Sequence, residues 1–211
     1  PRWGRLSSGA CIAAASCALL LSGHAAAQSA ATQKESAADW QSNAPRKSGE
    51  ATLRWFGMRV YDALLWVRDV PATDRTGSSA DAPFDREFAL ELRYAMSLSG
   101  ARIAERSDQE MVRQPDRASA AQRERWLAQM KALFPDVRDG DRIVGHYRPG
   151  EASRFTLNGK PIGEVADPAF GRAFFGIWLD LRTSEPAMRE ALMAGLAVQR
   201  SASNDGGKGG R

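Results

Sequence analysis

Cysteine is nearly missing from this chain, and the two that occur, Cys11 and Cys17, both stand close to the N-terminus. That segment reads as a removable leader, so the mature chain is expected to hold neither a disulfide nor a thiolate metal site. Histidine is as scarce: His24 falls in the same leader, which leaves His146. One imidazole with no nucleophile motif around it supports neither a histidine-cluster metal site nor Ser-His or Cys-His catalysis. Gly-rich phosphate loops and nucleophile elbows are also missing. No metal and no cofactor is therefore expected.

A long hydrophobic run is missing too. Arg2 and Arg5 open the chain, an apolar run covers 10–21, and Ala25, Ala26 and Ala27 precede Gln28. This is the three-part form of an export signal, with cleavage expected after Ala27. The run falls well short of the roughly 20 apolar residues of a spanning helix, so a membrane anchor is the minor reading. A lipoprotein would use Cys17, but Ala14 stands where a leucine is wanted and the apolar run continues past the cysteine to Leu21. The expected product is periplasmic or secreted, and not an integral membrane protein after cleavage.

Basic charge is lacking where a nucleic-acid partner would need it. The formal charge is +4, yet positions 48–196 hold 21 Lys and Arg against 22 Asp and Glu, leaving −1. The excess lies in Arg2 and Arg5, in Lys34, Arg46 and Lys47, and in Arg200, Lys208 and Arg211. A nucleic-acid surface concentrates its basic residues on the folded domain, so that class is excluded.

What is present is material for one core: 211 residues, 43% of them hydrophobic. The Ala-, Ser- and Gln-rich stretch 28–47 is expected to be a disordered linker and 198–211, with its SASNDGGKGGR ending, a disordered tail. A single domain is left over 48–197, with a loop-like stretch at 72–83. Residues 51–67 (ATLRWFGMRVYDALLWV) are apolar and aromatic with an interruption at Gly57, which predicts two adjoining strands or one bent at a bulge. Phe88, Leu90, Leu92 and Tyr94 alternate with Ala89, Glu91 and Arg93, the pattern of a half-buried strand. Strands are also expected over 142–147, 154–157 and 160–165, the last two joined by an Asn158-Gly159 turn. Trp126, Leu127, Met130, Leu133 and Phe134 form a helical face stopped by Pro135. Asp167-Pro168 begins a helix carrying Phe170, Ala173, Phe174 and Ile177. A last helix from near Ser184 presents Met188, Ala191, Leu192 and Leu196. This order implies an α+β fold, a mostly antiparallel sheet with helices packed on one face.

Candidate chemistry is thin. Asp139-Gly140-Asp141 is read as a turn rather than a carboxylate pair, and Ser107, Asp108 and Glu110 as the polar side of a helix. His146 and Tyr147, adjacent on a strand, face opposite sides and cannot act together. Arg54, amid Leu53, Trp55 and Phe56, could hold a carboxylate or phenolate in an apolar pocket; the local alternative is a solvent-facing arginine whose stem covers apolar surface.

The segments LRWFGMRVYDALLWV, FALELRYAMSLSGARIAERSDQEM, FPDVRDGDRIVGHY, RFTLNGKPIGEV and FGRAFFGIWLDLRTSEPAMREALM, in this order over 49–196, resemble the bacterial chalcone-isomerase-like family. The resemblance implies the chalcone isomerase architecture, an open-faced β-sandwich in which a large antiparallel sheet carries helices on one face. Plant chalcone isomerases close a flavanone ring by holding a phenolate on an early-strand arginine, while a threonine, a tyrosine, an asparagine and a late threonine or serine organise water and substrate. By the resemblance the arginine falls on Arg54 and the early threonine on Tyr61. The tyrosine falls on Ile103, the asparagine on Glu110 and the late hydroxyl on Ile177. An isoleucine in place of a hydroxyl strands the buried polar group it served, at about 1–3 kcal/mol. The resemblance thus implies a non-catalytic, exported protein that binds a small amphiphile such as a fatty acid through Arg54 and Tyr61. The alternatives are an intramolecular lyase acting on chalcone-like or other unsaturated phenolic substrates, and an interaction module of the cell envelope.

Overall fold

The computed structural model describes residues 45–68 and 83–205; the expected leader, the expected linker up to residue 44, the loop-like stretch 72–83 up to residue 82 and the expected tail beyond residue 205 lie outside them. Six strands, β1 (Arg46–Trp55), β2 (Met58–Val67), β3 (Phe88–Tyr94), β4 (Arg142–Tyr147), β5 (Ser153–Leu157) and β6 (Lys160–Val165), form one sheet in chain order. Every neighbouring pair is antiparallel. Helices α1 (Gly100–Met111) and α2 (Ala120–Leu133) separate β3 from β4, and α3 (Pro168–Leu179) and α4 (Pro186–Asp205) follow β6. The α+β expectation holds, and the stretch 51–67 is two strands joined by a tight turn.

Local chemistry sets most of these boundaries. Phe56 (φ 48°) and Gly57 (φ 80°) link β1 to β2, and Asn158 (φ 51°) and Gly159 (φ 80°) link β5 to β6, each a left-handed pair of the kind two-residue hairpins require. Ser99 caps α1 by accepting from the Arg102 amide, and Ser119 with Gln122 forms a reciprocal capping box on α2. Asp167 caps α3 by accepting from the Ala169 amide at 3.0 Å, while its other oxygen accepts from Trp126 Nε1 at 3.0 Å. One carboxylate thereby begins α3 and ties it to α2.

Alternation along β3 places Phe88, Leu90, Leu92 and Tyr94 beneath the helices in the core. Phe155 sits among Phe134, Phe170, Phe174 and Phe175 with ring separations of 5.2–6.4 Å. On the other face Glu91 is buried, accepting from Trp66 Nε1 at 2.8 Å and from Arg93 Nε at 2.7 Å. Two limits differ from the sequence reading. Strand β1 begins at Arg46, inside the expected linker, because its end pairs with Val67. Helix α4 continues to Asp205 past the expected boundary at 197: apolar periodicity ends at Leu196, but adding a residue to a formed helix needs only its backbone hydrogen bond. Among the described residues no helix is long and apolar enough to cross a membrane.

Candidate ligand cavity

Between the sheet and the helices lies a cavity of about 600 Å³. Leu90, Leu92, Ile143, Phe155, Phe174 and Phe175 give it apolar walls. Arg54, Tyr61, Ile103, Glu110 and Ile177 also line it, so five positions scattered over more than half the domain's length meet in one place. The chain brings them together because β1 and β2 pair through the Phe56-Gly57 turn, while α1 and α3 pack over the same sheet face.

Polar groups punctuate the apolar wall. Trp178 Nε1 donates to the Tyr61 hydroxyl at 3.0 Å, which occupies a lone pair there and leaves the Tyr61 proton available for another acceptor. Burial pushes the Tyr61 hydroxyl up to about 12, so it stays a neutral donor at any ordinary pH. Tyr94 stands directly across the β2–β3 register from Tyr61, ring centroids 6.1 Å apart. It is 3% exposed, and burial together with the neighbouring Tyr61 raises its hydroxyl as well. Ser107 Oγ donates to the Ile103 carbonyl at 2.8 Å.

Glu110 is 7% exposed. Its carboxylate is held by Arg106 on one oxygen and by Arg113 Nε at 3.1 Å on the other, so it brings no free negative charge to the cavity. At the rim, Arg54 is exposed and donates to the Gly57 carbonyl at 3.2 Å. Arg102 shares that rim. Neither arginine makes an ion pair among the described residues, whereas the rim's Glu105 is paired with Lys131 at 2.6 Å.

Ser107 and Glu110 correct the sequence reading. They are not the solvated side of α1 but its buried face toward the cavity, made tolerable by the Ile103 carbonyl and by two arginines. Tyr94 adds a hydroxyl from β3 that the sequence reading did not place at the site. Its alternation with Leu92 was a signal for the cavity face; that it stands opposite Tyr61 was not visible, since strand register is a long-range property. Trp178 was missed for the same reason.

The other candidates lie elsewhere. Asp141 accepts from the Arg138 amide at 2.7 Å and from Asn158 Nδ2 at 2.8 Å, which with Gly140 at φ 86° makes the expected turn. Tyr147 is in the core, stacked on Phe88 at 4.7 Å, and its hydroxyl donates to the Phe84 carbonyl at 3.2 Å. His146, on the opposite face, is lowered to about 4 by burial and by Arg148, Arg154 and Arg68.

The sequence pattern of the chalcone isomerase-like family matches residues 48–194, a span that contains all the cavity-lining residues. The chain belongs to that family. A solved structure similar in fold, described as a fatty-acid binding protein of Arabidopsis thaliana, superposes with a TM-score of 0.52. The match covers 73% of this chain and 91% of the other at 13% identity, a likeness of fold. Among curated proteins none matches the sequence.

Proposed function

We propose that this chalcone isomerase-like protein binds a small amphiphile, a long-chain fatty acid foremost, without transforming it. The observation that carries this reading is the pairing of apolar walls with donors that have capacity to spare: Arg54 at the rim, which spends one N–H on the Gly57 carbonyl and makes no ion pair among the described residues, and the Tyr61 proton, left available while Trp178 donates to its oxygen. Such a pocket solvates an anionic head at one place and a hydrocarbon tail at another. The fatty-acid binding protein sharing the fold is further support. The two raised tyrosines donate without ionising, so they add no repulsive charge. Ile103 and Ile177 stand where an isomerase of this family needs side-chain hydroxyls. The leader adds a location: the protein works outside the cytoplasm, after cleavage following Ala27.

Titration with dodecanoate, followed by native mass spectrometry, tests the reading. Stoichiometric binding of one acid is expected, with Arg54→Ala weakening it about tenfold, as for loss of a charge-assisted hydrogen bond. Absence of a bound acid, or equal affinity in the variant, would sink it.

A further inference from the structure

The β1–β2 turn holds its large residues away from the core. Phe56 occupies a left-handed position, φ 48°, that suits glycine or asparagine and is costly for a bulky side chain. The β5–β6 turn fills the corresponding position with Asn158, at φ 51°. Phe56 is nevertheless 85% exposed, flanked by Trp55 at 62% and Met58 at 56%. Its ring lies 5.0 Å from the Trp55 indole. Folding gains little from this tip, since an Asn-Gly turn would form the hairpin with less strain.

Arginines stand on both strands beside the apolar tip. Arg54 and Arg59 flank it, Arg59 sharing its charge with Asp62 at 2.6 Å, and Arg102, which makes no ion pair among the described residues, stands on the cavity rim that Arg54, Trp55, Glu105 and Glu185 also line. Indole and phenyl rings at a tip with arginines beside it match the layered chemistry of a bilayer surface, where aromatic rings settle at headgroup depth and arginines meet phosphates. A protein partner fits less well, because a stable protein interface buries about 800 Å² on each side and this tip is a narrow hairpin end.

We propose that the Trp55-Phe56-Gly57-Met58 tip inserts into the surface of an anionic phospholipid bilayer, bringing the cavity rim against the membrane. The contact stands on the hairpin itself; that it supplies the cavity with ligand rests on the amphiphile reading above.

The experiment is co-sedimentation of the full chain with vesicles of phosphatidylglycerol and phosphatidylcholine, and of phosphatidylcholine alone, for the wild type and Phe56→Asn. The wild type is expected to partition onto the anionic vesicles, less so as salt rises. Phe56→Asn is expected to reduce partitioning about tenfold, as for removing one buried phenyl group, while its melting temperature stays level or rises. Equal partitioning of the two proteins, or none by the wild type, would overturn the proposal. Dodecanoate titration in the absence of vesicles separates the two readings. Failure in both proteins removes the fatty-acid reading and leaves the membrane contact to the sedimentation result. Equal binding in solution, with slower uptake from vesicles by Phe56→Asn, supports supply through the tip; equal uptake rates overturn it.

Discussion

His146 shows how one residue can register the fold around it. It stands on β4 opposite Arg154 and beside Arg148, on the sheet face away from the core, and burial with those charges lowers it to about 4. In the unfolded chain a histidine takes up its proton near pH 6.5. Between these values the unfolded state binds the proton and the folded state does not, so stability falls as pH falls from about 6.5 to about 4. Below that both states are protonated and this contribution is spent. The interval corresponds to at most ~3 kcal/mol. Urea midpoints at neutral pH and near pH 4 are expected to differ less for His146→Gln than for the wild type; the same difference in both would refute the assignment.

At the scale of elements, α4 rests on β1 at Gly49. A methyl group there would run into the backbone carbonyls of Ala191 and Leu192, so the helix can lie this close only over a residue without a side chain. Met188 of the same helix lines the cavity, and the contact therefore also sets one wall of the site. Gly49→Ala is expected to destabilise by about 1–3 kcal/mol, as for overpacking in a filled interior. It should also weaken dodecanoate binding by shifting Met188. Chemical unfolding and ligand titration of the variant measure both; an unfolding midpoint within error of wild type would show that α4 does not bear on Gly49.

For the molecule as a whole, the family fold encloses a cavity with few polar groups. Arg54, Ile103 and Ile177 line the cavity, Glu110 is locked between Arg106 and Arg113, and Tyr61 is bonded to Trp178. Tyr94, the added hydroxyl, comes from a different element. Neither tyrosine is placed to ionise near neutral pH, since burial raises both. A spectrophotometric ring-closure assay with a chalcone is expected to show the uncatalysed rate alone. A rate that rises with protein concentration would restore the lyase reading.

Local pattern was enough to read the elements from the sequence: Phe88 to Tyr94 alternate, Asn158-Gly159 accepts left-handed φ, and Asp167-Pro168 begins a helix. Each rests on neighbours a few residues apart. The resemblance to the family added that Arg54, Tyr61, Ile103, Glu110 and Ile177 belong to one site, and all five do line the cavity. Which polar atoms meet there was decided by tertiary structure. Tyr94 faces Tyr61 because of the β2–β3 register, Trp178 reaches Tyr61 across 117 positions of chain, and Ser107 and Glu110 turn inward because α1 docks with that face down. The count of two cysteines and their place near the N-terminus are read without any fold. Register and helix docking do need one, because they are chosen by burying the whole core at once rather than by any local run of residues.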